Sequence, residues 1–424
     1  MSKQRLFVAS CIALVATSMS FAIRGDILDA FEEEFVIPHV TGGEDVEAGD
    51  PALQDKLVKT YAGHIAGVAF FSFGLAILFG GPLVDLLGMG RLLRLAALCH
   101  CGGTLLTIFA PNFWVLWTAT LIIGAGNGLV EAVCNPLIAT LYPEEKGHKL
   151  TVFHAWFPGG LVIGGLLAFG FTKIAEYGQF ELAFNWQCKM ALLLIPTAVY
   201  AAMIMGQEFP ATERVAAGVS FGGMLRAAVR PVFITLFLVM WLTAATELGT
   251  GEWISNIYKD VMGREEGILA LVWGSIIMYV LRQFFSRPVH KIAPTALIAL
   301  TAPIAAVGLF LFHHASTTQS PFWFFFAATL VYVGVCFWWP TMLGIAAERC
   351  PRTGALGLAV IGGAGSLATW VAGPVMGRIN DAFGPDRCLQ IWAILPAVVM
   401  VVFGLVYVTD RARGGYEMEK LTTR

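Results

Sequence analysis

Between two long apolar stretches the chain reads Gly81-Pro82-Leu83-Val84-Asp85-Leu86-Leu87-Gly88-Met89-Gly90-Arg91-Leu92-Leu93-Arg94. Charged side chains are costly inside a lipid bilayer, so they mark the point at which one membrane helix ends and the next begins. The stretch therefore predicts a tight turn at a membrane surface between two spanning helices. A simpler interpretation, in which the charges merely end a helix, stays open at this point.

The composition of the whole chain indicates a lipid environment. Of the 424 residues, 57% are hydrophobic and 13% are charged, and the mean hydropathy is +0.72. A soluble domain of this length carries far more polar surface. The net charge of −2 argues against a nucleic-acid partner. The eight cysteines form no C-x-x-C pair, so we interpret them as structural and expect no metal site and no cofactor.

About twelve stretches have the roughly 20 mainly apolar residues that a spanning helix needs, because the hydrocarbon core is about 30 Å thick. They lie near residues 6–27, 61–80, 92–109, 113–141, 149–174, 187–206, 230–256, 267–286, 294–313, 322–346, 354–377 and 388–408. The first stretch follows Lys3 and Arg5 and is similar to a cleaved signal peptide. We expect it to be retained, because it completes an even number of spans. The predicted fold class is an all-α membrane protein with twelve transmembrane helices.

Basic residues predict the orientation, since loops rich in Lys and Arg tend to stay cytoplasmic. With the N-terminus inside, eighteen of the 27 Lys and Arg residues fall in inner segments and eight in outer segments. Both termini are therefore predicted to be cytoplasmic, in a plasma (inner) membrane.

A repeat indicates two homologous halves. Asn135-Pro136 precedes Gly159-Gly160, and Trp339-Pro340 precedes Gly362-Gly363 at nearly the same spacing. We predict two pseudo-symmetric six-helix bundles, over residues 1–206 and 230–424, joined by a cytoplasmic linker over 207–229. Such halves suit a monomeric transporter whose site lies between them, whereas a channel is more usually built from several subunits. The acidic, glycine-rich segment 32–59 is expected to cover the outer mouth.

The stretch 81–94 resembles the loop signature of the major facilitator superfamily, G-x-L-a-D-r-x-G-r-[kr], with Leu86 in the place of a basic residue. The resemblance implies that fold for the whole chain. The glycines allow helix ends to approach, Asp85 is expected to cap a helix N-terminus across the two halves, and Arg91 or Arg94 is expected to pair with it. The expected gating residues are Gly81, Asp85, Gly88, Arg91 and Arg94.

Within that superfamily three segments are similar to the fucose:proton symporter family, which includes fucose, glucose and galactose permeases. They are Gly25-Asp26-Ile27-Leu28, with Gly25 where the family has Asn, Glu131-Ala132-Val133-Cys134-Asn135-Pro136, and Leu150-Thr151-Val152-Phe153-His154-Ala155-Trp156-Phe157. This resemblance rests mainly on the first half of the chain. It implies proton-coupled sugar transport, with His154 in the position of a polar substrate ligand.

Asn127, Glu131 and Asn135 recur every four residues, so they form a polar stripe on one face of the fourth helix. Contact between this polar face and lipid would be costly, so we expect the face to line the cavity. Burial favours the neutral form of a carboxylic acid, which makes Glu131 the first candidate for carrying a proton. A structural Glu131 paired with Arg24 is the alternative. Asp26 is the second proton-coupling candidate, unless it lies hydrated at the outer helix end.

The seventh helix contains the polar stretch Thr246-Glu247-Leu248-Gly249-Thr250-Gly251-Glu252-Trp253-Ile254-Ser255-Asn256, which resembles the E-x-x-x-x-x-W stretch of the sugar permeases. Its glycines predict a break, and three of its side chains are expected to hold sugar hydroxyls or stack on the ring. The whole expected substrate-binding set is Arg24, Asn127, Asn135, His154, Glu247, Trp253 and Asn256. We interpret Trp338, Trp339 and Trp370 as membrane-interface anchors.

Together these features predict a proton-coupled importer of a hexose or similar polyhydroxylated solute, working by rocking of one half against the other. Its partners are then the solute, protons and the bilayer. Two alternatives stay open: uptake or exchange of an anion bound by Arg24, and a non-transporting membrane sensor or assembly factor. About fifteen residues follow the last predicted helix, which disfavours a sensor. No nucleophile motif or phosphate-binding loop appears, so we do not expect an enzyme.

Overall fold

The computed structural model describes residues 2–42, 51–177, 185–251, 254, 258, 268–419 and 421. Twelve long helices, some in two segments, form the framework of these residues. They are α1 (Lys3–Asp26), α2 (Pro51–Leu87), α3 (Met89–Ile108), α4 (Phe113–Leu141), α5 (Lys146–His154 and Trp156–Tyr177), α6 (Asn185–Ala191 and Leu194–Ile204), α7 (Pro231–Ala244, continued by the π turn Ala245–Gly249), α8 (Ile268–Phe284), α9 (Pro294–Thr318), α10 (Pro321–Val335 and Trp338–Arg349), α11 (Gly354–Phe383) and α12 (Pro385–Trp392 and Ile394–Ala412). Short helical segments connect them, at Leu28–Phe31, Glu32–Val36, Ile37–Thr41, Glu213–Ala216, Phe221–Ala228, Ser286–Val289 and Pro351–Thr353.

The twelve-helix prediction is confirmed. Ten of the helices are long and apolar enough to cross a membrane by themselves. The other two are α3, which carries Arg91 and Arg94 in its first turns, and the 17-residue α8. The largest difference from the predicted spans is in α2, which begins at Pro51 instead of residue 61, because its polar first turns continue the helix beyond the apolar stretch.

Within the described residues, four of the helices are interrupted in a way that hydropathy does not reveal. The interruptions lie at Ala155 in α5, Leu192 and Leu193 in α6, Cys336 and Phe337 in α10, and Ala393 in α12. A proline follows the last residue of each interruption by three positions, at 158, 196, 340 and 396. Proline has no N–H to donate to the carbonyl four residues earlier, so each break leaves one carbonyl oxygen available for another donor.

Small residues allow the helices of the first half to pack closely. Gly124 and Gly128 of α4 face α2, where an added Cβ would collide with the backbone oxygens of Ala69 and Phe73. Contacts of this type are favoured in membranes, because lipid supplies no hydrophobic driving force between helices. The glycine spacing therefore fixes α2 against α4.

The apolar core has two main parts, as expected for two six-helix bundles. One is built from buried residues between Leu6 and Ile204 together with Ala355, and the other from residues between Phe233 and Phe403. The predicted bundle limits at 206, 207, 229 and 230 agree with this division and stay a prediction.

We call the face at which α1 begins and α12 ends the termini face. There the halves are in contact: His148 of α5 is hydrogen-bonded to Ser286, and Gly147 lies against His290 and Glu348. At the opposite face the segment after α1 lies against α6, where Phe31 and Phe35 pack on Trp186, and the Trp186 Nε1 donates to Glu34 Oε2 at 2.7 Å. The predicted cover over residues 32–59 therefore contacts the first half, and its residues 43–50 lie outside the described part.

Candidate functional site

A cavity of about 350 Å³ lies between the halves, on the side away from the termini face. Its walls are largely aromatic and aliphatic, with charged groups from both halves. The lining residues include three phenylalanines and three charged side chains: Phe21, Phe73, Phe157, Arg24, Glu247 and Arg282. This size and mixture of surfaces suit a small organic solute.

A buried polar group of α4 and α5 lies beside the central cavity. Asn135 Nδ2 donates to Glu131 Oε2 at 2.7 Å, and Asn135 Oδ1 lies 3.0 Å from His154 Nε2. The Glu131 Oε1 and the His154 Nδ1 are 3.9 Å apart. All three side chains are at most 3% exposed, and none belongs to the cavity wall. The structure thus brings together three of the predicted site residues, although it buries them where we expected them to line the cavity.

Arg282 of α8 joins the two halves at this point, although it is not among the site residues predicted from the sequence. Its Nη2 donates to Glu247 Oε1 at 2.6 Å, within the second half. Its Nε donates to the Cys336 carbonyl at 2.5 Å, and its Nη1 reaches across to the His154 carbonyl at 3.1 Å. These are the two oxygens that Pro340 and Pro158 leave without a helical partner. The detectable signal was an arginine near the end of an apolar helix, followed after the helix by a second arginine, Arg287.

Glu247 lies in the π turn Ala245–Gly249 of α7, and Thr250 and Gly251 after it are helical, so among the described residues the predicted break is a local π turn in a continuing helix. Its Oε1 is bonded to Arg282, while its Oε2 is buried and has no hydrogen-bond partner among the described residues. Glu247 also belongs to the cavity wall. The predicted residues Trp253 and Asn256 lie outside the described residues.

Asn127 belongs to a separate buried chain. Its Nδ2 donates to Ser20 Oγ at 2.9 Å, and its Oδ1 lies 2.9 Å from His100 Nε2. The other ring nitrogen of His100 is 3.0 Å from the Tyr200 hydroxyl. The expectation that Asn127 lines the cavity is therefore wrong, because α1, α3 and α6 cover it within the first half.

Arg24 does not pair with Glu131, which corrects one of the alternatives above. Its Nη2 donates to Thr120 Oγ1 at 2.7 Å, and its guanidinium lies 5.9 Å from the centre of the Phe31 ring. The Nη1 is buried without a hydrogen-bond partner among the described residues, and Arg24 lines the cavity. Asp26 faces α6, where it accepts a 2.6 Å hydrogen bond from Lys189 Nζ.

Asp85 has a different partner from the predicted ones. It lies 2.8 Å from Arg214 Nη2, in the linker, and accepts a 2.6 Å hydrogen bond from the Thr212 hydroxyl. Arg91 and Arg94 are exposed and line a surface pocket beside this pair. The expected Asp85 pairing with either of them is wrong, because both side chains extend from the outer surface of α3.

The two predicted gating glycines have clear local reasons. An added Cβ at Gly81 would collide with Ala359 of α11, so this glycine lets α2 and α11 approach. Gly88 has φ +84°, which favours glycine, at the turn before α3.

Two of the tryptophans interpreted as interface anchors are core residues. Trp338 is buried with its Nε1 bonded to Thr301, and Trp339 is buried 6.5 Å from the His154 ring.

The family model described as Major Facilitator Superfamily matches residues 6–369. The chain belongs to the major facilitator superfamily. Among solved structures, this superfamily member is similar to the proton:xylose symporter XylE, with TM-score 0.79 and 14% identity over 95% of each chain. It is also similar to the fucose:proton symporter of E. coli, with TM-score 0.72 and 16% identity over 96% of this chain and 99% of that one. At these identities the likeness establishes the fold. It is a multi-pass membrane protein with the transporter fold and is not an enzyme.

The curated relatives of this superfamily member carry different solutes by name. The gentisate transporter of Corynebacterium glutamicum is 25% identical over 61% of this chain, and the chain spans only 60% of that protein's length. The 2-nitroimidazole transporter of Escherichia coli is 23% identical over 96% of this chain and 97% of its own length. Myo-inositol transporter 1 of Saccharomyces cerevisiae is 30% identical over 34% of this chain, which spans 24% of that protein.

Proposed function

We propose that this protein is a proton-coupled secondary transporter that takes up a hexose or similar polyhydroxylated solute by alternating access. The observation that carries the proposal is the position of Arg282, which bonds Glu247 at the cavity wall and the His154 carbonyl beside Glu131. One side chain thereby connects a solute cavity with a buried acid across the two halves.

The chemistry of the cavity supports a sugar. Phenylalanine rings form flat walls on which the apolar face of a sugar ring can stack, and Ser366 and Thr369 add hydroxyl groups. We expect the carboxylate of Glu247, a residue of the cavity wall, to accept a hydrogen bond from a sugar hydroxyl. Relatives named as inositol and xylose transporters agree with this class of solute.

A second candidate, an organic anion, is favoured by Arg24. Among the described residues, the cavity wall contains two arginines, Arg24 and Arg282, and one glutamate, Glu247, so its charged side chains leave one positive charge in excess. A carboxylate is the natural partner of such a guanidinium. The relative named as a gentisate transporter carries an aromatic acid, which agrees with this candidate.

For the location we propose the plasma membrane, with the protein as a monomer and both chain ends in the cytoplasm. The excess of Lys and Arg in the segments on the termini face supports this orientation. The closed contacts at that face then belong to an outward-facing or occluded state, since the cavity lies on the other side.

Uptake into proteoliposomes separates the two candidates. The panel is labelled glucose, galactose, fucose, xylose, myo-inositol and gentisate, each with and without an imposed pH gradient. We expect uptake of at least one neutral sugar to be driven by the gradient, and we expect Arg24→Gln to retain it. Uptake of gentisate alone, lost in Arg24→Gln, would replace the sugar proposal with the anion candidate.

A further inference from the structure

We propose that Glu131 and His154 hold the coupled proton jointly, and that Arg282 is the positioning residue that transmits the state of this pair to the other half. This inference rests on proton coupling as part of the proposed function. It gives His154 a different task from the substrate contact expected from the sequence. It also adds Arg282 to the residues that act in transport.

The hydrogen bonds of Asn135 determine how the His154 ring is protonated. The Asn135 amide nitrogen donates to Glu131, so its oxygen is the atom that faces His154 Nε2. An oxygen accepts, so the Nε2 must carry hydrogen. In the neutral ring the Nδ1 is then a lone pair, and it points toward the Glu131 Oε1 at 3.9 Å.

Two lone pairs that face each other in a dry interior are unfavourable. If Glu131 is ionised and His154 is neutral, the Oε1 and the Nδ1 are both acceptors, and neither carries a hydrogen to donate to the other. One added proton changes this, because either a carboxylic acid donates to the Nδ1 or an imidazolium donates to the carboxylate. The distance of 3.9 Å exceeds a hydrogen bond, so we expect the two groups to move together when the proton binds.

The surrounding charges require the same proton. Among the described residues, the other charged group that acts on both members of the pair is Arg282 from α8, which is itself bonded to Glu247 from α7; the Cys134 thiol is a neutral neighbour of Glu131. Glu247 already neutralises Arg282 at 2.6 Å. An ionised Glu131 would therefore be a buried negative charge without its own cation, which is costly in a membrane interior. A single proton makes the whole group neutral.

Loss of the proton then acts on the contact between the halves. The Glu131 carboxylate that remains attracts the Arg282 guanidinium, which must divide itself between two acids. The hydrogen bond from Arg282 to Glu247 then weakens. The hydrogen bond from Arg282 to the His154 carbonyl, which joins α8 to α5, weakens as well. Because Glu247 lines the cavity and is bonded to Arg282, solute binding and proton binding act on the same arginine.

The test observes the protons directly in the full chain, reconstituted in nanodiscs with ¹⁵N-labelled histidine and no solute. We expect a pH-dependent change at His154 Nδ1 while Nε2 keeps its hydrogen, and we expect Glu131→Gln to abolish this change. In His154→Gln, the infrared band of the protonated Glu131 carboxyl should lose its wild-type pH dependence. The two variants probe the pair from opposite sides, so one of them suffices if the other does not fold.

His100 is the matched control, because it is equally buried and bonded at both nitrogens, with a hydroxyl and an amide as partners and no carboxylate. Its signals should be the same in the wild-type protein and in Glu131→Gln. A His154 response that persists in Glu131→Gln overturns the shared proton, and so does an infrared band that is unaffected by His154→Gln. These readouts need no transport, so failure of the sugar proposal leaves their result interpretable.

Discussion

At the residue scale, the buried polar groups are held by partners far along the chain: Arg282 of α8 donates to the His154 carbonyl, and Arg214 of the linker donates to Asp85. The helical spacing placed Glu131 and Asn135 on one face, and they are hydrogen-bonded as that spacing allows. Arg282 was missed because its role depends on carbonyls of residues 154 and 336, which only the folded chain brings together. Asp85 was assigned a local partner for the same reason, since its real partner is 129 residues away.

The Asp85–Arg214 contact supplies the first prediction at this scale. Asp85→Asn removes a charged hydrogen-bond acceptor that is about nine-tenths buried, and should weaken the closed termini face by about 1.5–3 kcal/mol. We expect a reduced transport rate in proteoliposomes, with normal expression and membrane insertion. The single variants Arg91→Gln and Arg94→Gln are the matched controls, because these exposed side chains do not contact Asp85, and both should transport at the wild-type rate. Wild-type transport by Asp85→Asn would remove the gating role.

At the scale of elements, hydropathy was sufficient to predict the helices and insufficient to predict their interruptions. Residues 113–141 form α4 with the predicted limits, because Asn112 caps a helix that is apolar from its first turn. The break of α5 at Ala155 went unpredicted because apolar residues continue through it. Its cause is Pro158, and its consequence is an available His154 carbonyl that Arg282 occupies.

The interruption of α5 can be tested by restoring the helix. Pro158→Ala supplies an N–H four residues after His154, so the His154 carbonyl gains a helical donor that competes with Arg282. The variant should be more resistant to thermal unfolding, since an interior proline costs about 3 kcal/mol, and it should transport more slowly.

Pro196→Ala is the matched control for that variant. The carbonyl that Pro196 leaves in α6 belongs to Leu192 and accepts from the Ile195 N–H at 3.2 Å, without any contribution to the contact between the halves. Transport by this variant should stay at the wild-type rate. Equal slowing in both proline variants would show that helix flexibility, and not the Arg282 contact, limits the rate.

At the scale of the whole molecule, the two halves close on the termini face and leave a cavity on the other side. The sequence predicted two bundles because the same proline and glycine pattern recurs in each half. It did not predict which face is closed, because that depends on contacts such as His148 with Ser286, 138 residues apart. Nor did it predict that the polar stripe of α4 is covered, since helical periodicity reveals a polar face but not the element packed against it.

In the mechanism that we propose, proton release from Glu131 converts solute exchange into net accumulation. Glu131→Gln retains an amide in place of the acid and holds the site in a form that resembles the protonated one. Exchange of solute across the membrane needs no net proton release, so it should persist in this variant, whereas accumulation against a gradient should be lost.

The decisive measurement is therefore made on Glu131→Gln in proteoliposomes, with the labelled sugar that the wild-type protein accumulates best. Counterflow exchange and accumulation driven by an imposed pH gradient are recorded on the same preparation. We expect Glu131→Gln to exchange solute near the wild-type rate and to show no accumulation at any pH gradient. Accumulation by Glu131→Gln that still rises with the pH gradient would contradict it.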